Sequence, residues 1–341
     1  MKAIVCKQFG PPETLTIEDV PSPKPAAGQV VVSVKAASLN FPDTLIIQDK
    51  YQIKPSLPFT PGSEMAGVVK EAGEGVTRLK PGDPVLGVIG YGAFAQECVA
   101  PVERLVPIPS GMDFSTAAAF LMAYGTAHHA LRHRARCRAG ESLLVLGAAG
   151  GVGLAAVEVG KLLGLRVIAC ASSDDKLALC RQHGAGETIN YSREDLRGRI
   201  KEITGGQGVD VIYDAVGGAY TEAALRSSAW RARLLVIGFA AGDVPRIPLN
   251  LPLLMERDII GVHWGAWVPR AQEEFKAAVE ELGAWFREGR IRPHVSMVYP
   301  LSQVSEAMHA MLERRVTGKV VIAVHSYVKP SGTAAGGGGS L

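Results

Sequence analysis

The part of this 341-residue chain best suited to chemistry is a run of small residues between an apolar stretch and a helical one: Leu143-Leu144-Val145-Leu146, then Gly147-Ala148-Ala149-Gly150-Gly151-Val152-Gly153. Ala148, Gly150 and Gly153 fall at the spacing A-x-G-x-x-G, with Ala148 where the first glycine of a dinucleotide fingerprint would stand. Small residues here let the backbone approach a pyrophosphate. A helix beginning at Gly151, Val152 and Gly153 also turns unsatisfied N–H groups toward that charge. The bland alternative is a glycine turn that only lets a helix pack close to a strand. A second strand, Arg166 to Ala171, follows, and the residues after it select the nucleotide. An Asp or Glu there accepts hydrogen bonds from the ribose hydroxyls of NAD. This chain has Ser172-Ser173, which leaves room for a 2′-phosphate, and Lys176 one helical turn on to meet its charge. NADP(H) is therefore the expected cofactor. Two readings compete: Ser172 or Ser173 as a helix N-cap with Asp174 and Asp175 as first-turn acids, and Asp174 reaching the ribose, which would favour NAD.

These residues need elements to hold them. Residues 1 to about 120 are rich in Val, Pro and Gly, with short apolar runs such as Val30-Val31-Val32 between Pro-Gly and Gly-Asp turns, and predict a β-rich domain. From about 124 to 262, apolar strands (143–146, 167–171, 209–213, 234–237 and 259–262) alternate with helical segments, which predicts a parallel sheet covered by helices. Beyond 265 the pattern gives a helix over about 270–288, a short helix over about 304–315 and a strand over 319–324, a piece expected to rejoin the first domain. The expected division is 1–123, 124–264, 265–327 and a linker-like, glycine-rich tail over 328–341.

Composition narrows the class. With 47% hydrophobic and 20% charged residues the chain is neither disordered nor a coiled coil, and a net charge of +3 implies no nucleic-acid or membrane partner by itself. The five cysteines (Cys6, Cys98, Cys137, Cys170 and Cys180) are scattered, with no C-x-x-C and no zinc spacing, which fits a reducing cytoplasmic setting. Neither a signal peptide nor a membrane span is expected.

Several further segments carry a resemblance: Leu39-Asn40-Phe41-Pro42-Asp43, Pro61-Gly62-Ser63-Glu64, Lys80-Pro81-Gly82-Asp83, Tyr124-Gly125-Thr126-Ala127 and Asp214-Ala215-Val216-Gly217-Gly218. With the glycine loop they make the chain resemble the medium-chain dehydrogenase/reductase superfamily. Within it the match is to the zinc-independent NADPH:quinone oxidoreductase (zeta-crystallin-like) family. One departure is Glu158, where this signature usually has glutamine and which is expected to face away from the loop. The resemblance implies an α/β architecture: a GroES-like β-rich catalytic domain from both ends of the chain, and a Rossmann doubly wound parallel-sheet domain between them. Zinc-dependent relatives carry a cysteine and a histidine where this chain has Ser38 and Ser63, so no metal is expected. By the same resemblance Asn40 and Thr126 lie beside the nicotinamide ribose, and Lys176 and Tyr191 lie at the 2′-phosphate. Phe239 and Ala240 follow a strand flanking the ring, and Arg315 and Lys319 approach the cofactor phosphates. A blander reading of Asn190-Tyr191 is a strand end before a helix capped at Ser192.

On the substrate side the family commonly has two tyrosines, and this chain has Leu45 at the first place and Tyr51 at the second. Tyr51 is the remaining candidate proton donor, with a packing role as its alternative. Trp264, Trp267 and His263 either stack on a planar acceptor or have a buried or dimer-interface role. Hydride transfer needs mainly positioning and exclusion of water. The expectation is NADPH-dependent reduction of a quinone or activated enone by a homodimer. An enoyl-thioester such as acryloyl-CoA is the second substrate class. A crystallin-like or RNA-binding role with little turnover is the alternative of another kind, resting on the basic stretch His128 to Arg138.

Overall fold

Ser142–Leu146 is buried at every residue, as a strand covered by helices on both faces must be. It is the central member of a six-stranded parallel sheet whose spatial order is Glu187–Asn190, Arg166–Ala171, Ser142–Leu146, Val209–Asp214, Ser228–Val236 and Asp258–Gly261. In chain order this is 3-2-1-4-5-6, the doubly wound arrangement, and its switch point lies between the strands ending at Leu146 and Asp214. The loops after those two strands touch, since a Cβ on Gly147 would lie 2.9 Å from Val216. The computed structural model describes residues 1–324, so the expected tail over 328–341 lies outside the described residues.

The second sheet has seven strands. Gln29–Leu39 pairs antiparallel with Glu64–Ala72 on one side and with Glu97–Pro101 and Lys319–Ala323 on the other, and Val295–Pro300 lies parallel beyond the last. Leu39, Met65, Val320 and Ile322 share its core, so residues from both ends of the described chain bury one another. The two sheets meet at the glycine loop: Gly318 pairs with Gly150 in a parallel bridge, and its N–H donates to the Ala149 carbonyl at 2.8 Å.

Helix Leu121–His128 continues into a π-helical turn, His129–Arg134, which holds the first half of the basic stretch, while Arg136 and Arg138 beyond it are exposed. His128 and Arg132 both bond Glu281 at 2.6 Å, and Arg134 donates to the Gly261 carbonyl. Trp267 stacks on His129 with ring centroids 4.2 Å apart, and Trp264 is buried against Gly125, where a Cβ would lie 2.8 Å from the indole nitrogen. Both tryptophans are thus packing residues in the structure, while His263 is exposed.

Burial pushes His129 down to about 4, with the neighbouring His133 and Arg134 acting in the same direction. Its unfolded value is near 6.5, so the unfolded chain binds the proton first. The contribution of this histidine is complete above about pH 6.5 and is lost as pH falls toward 4, to the extent of roughly 3 kcal/mol. Asp43 runs the other way, because burial raises it to about 7 and the folded state then gains stability as pH falls through that value. The expected result is therefore differential: His129→Phe, which keeps a ring on Trp267, loses less stability than the parent between pH 6.5 and 4.5 in urea unfolding. Equal losses would mean that His129 is protonated in the folded state.

Candidate cofactor and substrate site

Helix Gly151–Leu162 begins at the switch point with Gly150 as its N-cap and no side chain capping it, which leaves first-turn N–H groups open to an anion. The tight turn into it is made by Gly147 at φ 70°, one residue before the alanine that replaces the first glycine of the fingerprint. Ala148 itself is buried, with its N–H spent on the Cys170 carbonyl. The other glycines separate by cause. A Cβ on Gly153 would lie 2.3 Å from the Gly147 carbonyl oxygen, so this glycine is demanded by helix–strand packing. On Gly150 the nearest atom would be 3.4 Å away, so the protein leaves room there.

Beyond strand Arg166–Ala171, Ser173 caps the next helix, accepting from the Lys176 N–H at 3.4 Å. The Lys176 ammonium donates to the Arg314 carbonyl at 2.9 Å and lies 3.5 Å from the Ser172 hydroxyl. Capping and a cationic corner therefore coexist. The Asp174 carboxylate is held by Asn190 at 2.7 Å and by Arg193 at 2.9 Å, which occupies the group that would otherwise have argued for NAD. Tyr191 packs on Tyr220 with centroids 4.5 Å apart, and burial raises its phenol to about 12. The helix after it is capped by Asp195, not by Ser192 as the sequence suggested, because its first turn begins at Leu196. Arg315 bonds Glu313 at 2.6 Å, and Arg314 is the arginine whose charge reaches Tyr191. Phe239 and Ala240 lie on the loop folded over the 215–218 turn, where the Ala240 N–H donates to the Ala215 carbonyl. Asp214 fixes that turn by accepting from Val216 and Gly217 at 2.9 Å.

Across the cleft the structure gathers a buried polar cluster. Ser38 and Asn40 both donate to Glu64 Oε2 at 3.1 Å, and the Met122 N–H donates to Oε1 at 2.8 Å. Lys319, expected near the phosphates, instead sends its ammonium into this cluster: it donates to Asn40 Oδ1 and lies 3.1 Å from Glu64 Oε2. The physical reason is that Glu64 is fully buried, and a buried carboxylate needs an opposite charge. Asp43 accepts from the Asn40 N–H at 2.8 Å. Tyr51 packs against the same core, with burial and the Asp43 charge raising its phenol. Thr126 is buried on helix Leu121–His128, next in sequence to the Gly125–Trp264 contact. Sequence reading missed Glu64 and Asp43 as members of this cluster, although both stand in the motifs it quoted. Among the described residues, no group of three or more His, Cys, Asp or Glu side chains is placed to hold a metal ion.

Glu158, the departure from the usual glutamine, is buried away from the loop. It accepts from Tyr124 at 2.6 Å and lies 2.7 Å from His183. Cys137 carries no anionic thiol, since burial raises it to about 12.

A GroES-like sheet joined to a doubly wound nucleotide fold at an uncapped, glycine-lined helix start defines a medium-chain dehydrogenase/reductase. Family models agree, matching a zinc-binding dehydrogenase domain over residues 151–284 and an alcohol dehydrogenase GroES-like domain over 26–110. The chain belongs to the quinone oxidoreductase (zeta-crystallin-like) family within that superfamily. It is 40% identical over 325 residues to the quinone oxidoreductase-like protein 2 homolog of Nematostella vectensis, covering 94% of this chain and 88% of that one. It is 37% identical over 327 residues to the quinone oxidoreductase of Pseudomonas aeruginosa, covering 94% and 99%. Among solved structures, Escherichia coli quinone oxidoreductase complexed with NADPH aligns with a TM-score of 0.90 at 30% identity, covering 95% of this chain and 100% of that one.

Proposed function

We propose that this protein transfers hydride from NADPH to a quinone or an activated enone. The observation that carries the reading is the open helix start at Gly151–Gly153, flanked by a corner that offers Lys176 and Ser172 while Asp174 is engaged elsewhere. NADPH would supply the hydride. The chain's own part is to hold and orient. First-turn N–H groups meet the pyrophosphate, while Ser172, Ser173, Lys176 and Tyr191 meet the 2′-phosphate. Asn40 and Thr126 meet the nicotinamide ribose. Tyr51, protonated at neutral pH, is the proton source on the substrate side. The test is NADPH oxidation, with NADH as control, against a benzoquinone and acryloyl-CoA in parallel. Turnover of the quinone with NADPH preferred is expected; turnover of acryloyl-CoA alone would move the substrate to enoyl-thioesters, and NADPH binding without turnover would favour a binding role.

A homodimer is part of the proposal. The strand Asp258–Gly261 is paired on one side only, its Ile259 is exposed, and so are Leu249, Leu253 and Leu254 in the segment that precedes it, an edge that soluble chains normally cover. Light scattering should give twice the chain mass for the parent and the single-chain mass for Ile259→Lys. A monomeric parent would remove this part of the reading.

A further inference from the structure

The buried cluster contains an orienting device. An asparagine amide has two faces that differ only in which end donates, and nothing in its shape selects one. Around Asn40 the selection is made chiefly by charge: Nδ2 donates to a carboxylate oxygen of Glu64 at 3.1 Å and, at the longer distance of 3.3 Å, to the Ser38 carbonyl, while the Lys319 ammonium donates to Oδ1. Turning the amide over would put NH2 against ammonium and oxygen against carboxylate, so both contacts would become repulsive. The carboxylate and ammonium also bond each other at 3.1 Å, and both side chains are buried, which keeps the pair from yielding to solvent.

Lys319 is held along its whole length. Its N–H donates to the His294 carbonyl at 2.8 Å, and its stem crosses the start of the cofactor-side helix, where a Cβ on Gly151 would lie 2.8 Å from its Cδ. The residue before it, Gly318, sits at φ 54°, where a Cβ would lie 2.3 Å from the same His294 carbonyl oxygen. The chain thus passes the glycine loop and delivers a cation to Asn40. Asn40 also stands at the N-cap of helix Phe41–Ile46, in a capping box with Asp43.

We infer that the Lys319–Glu64 pair is a positioning device that fixes the Asn40 amide in one orientation, with its oxygen turned to accept from a hydroxyl of the nicotinamide ribose. Lys319 and Glu64 act through Asn40 and touch no reacting atom. The inference rests on the reading of Asn40 as the ribose neighbour, and the test separates the two.

The experiment measures dissociation constants of NADPH and of adenosine 2′,5′-bisphosphate, which lacks the nicotinamide ribose, for four proteins: the parent, Asn40→Ala, Glu64→Gln/Lys319→Gln, and the triple variant. The paired replacement removes both charges together, so no bare carboxylate is left buried. Losing one ribose hydrogen bond is expected to weaken NADPH about tenfold in Asn40→Ala and in the paired variant alike, and no further in the triple variant. The bisphosphate should bind all four within about twofold, and Lys319→Arg should retain NADPH affinity within about threefold. The positioning role is overturned if the paired variant binds NADPH as the parent does, if the triple variant shows the product of the two losses, or if the bisphosphate weakens in step with NADPH. An Asn40→Ala variant that binds NADPH normally overturns the reading of Asn40 itself, and a parent that binds neither ligand overturns the proposed function. If the paired variant does not fold, Glu64→Gln/Lys319→Met takes its place with the same expectations.

Discussion

Gly150→Ala should leave the fold intact and cost NADPH binding at least about tenfold, whereas Gly153→Ala should damage the fold first. At Gly150 the backbone is in an ordinary extended conformation (φ −78°), and an added Cβ meets nothing closer than 3.4 Å, so its stability change should stay within about 1 kcal/mol. A methyl there stands where a pyrophosphate would come closest to the backbone. At Gly153 the Cβ would lie 2.3 Å from one backbone oxygen and 2.9 Å from the Ala148 Cα, neither of which yields without moving strand against helix. About 3 kcal/mol of destabilisation is expected there, at the upper end of what overpacking costs. Chemical unfolding and NADPH fluorescence titration on both variants decide the matter. An unchanged affinity for NADPH in Gly150→Ala would mean that the loop is a packing turn and nothing more.

Lys176→Ala carries the second large effect. The ammonium is on the surface, bonded to the Arg314 carbonyl and near Ser172, so its removal leaves no buried group unpaired. Its loss should therefore cost little stability. Against a doubly charged 2′-phosphate the same ammonium makes a charge-assisted hydrogen bond, worth roughly 1.5–3 kcal/mol, or about ten- to a hundredfold in affinity. NADPH should weaken by that factor while NADH changes less than about twofold. Equal weakening of both would show that Lys176 supports the loop, and no change in either would place the phosphate elsewhere.

The fold was legible where periodicity was strong. All five strands read from 143–262 are present, four of them to within one residue at each end and the one read over 234–237 starting already at Ser228, and the helix read over 270–288 runs from Gln272 to Arg287. Strands that escaped include Glu187–Asn190 and Val295–Pro300, both at sheet edges; the first is buried at its last three residues, but only Ile189 among them is apolar, so no apolar run marks it. The site was legible as a set of motifs and not as a set of directions. Nothing local to Arg314-Arg315 says that Arg315 bonds Glu313 while the Arg314 carbonyl receives Lys176. The resemblance puts Lys319 at the cofactor phosphates, whereas the structure places its ammonium on Asn40 and Glu64. Its true partner, Glu64, lies on a strand reached only through the sheet, and no spacing rule carries that pairing.

Asn40 and Lys319 are separated by 279 positions, yet they are joined by a hydrogen bond within one sheet. On a ribosome that distance becomes time. The doubly wound sheet closes by residue 261 and can fold as soon as its own strands have emerged, since domains form as units in the order of synthesis. The other sheet cannot: Gln29–Leu39 lacks its Lys319–Ala323 neighbour until those residues have been made, leaving Glu64 without its counter-charge until then. The nascent chain thus carries an unfinished β edge from residue 39 until residue 323 has been made, and an unpaired edge is a template for pairing with other chains.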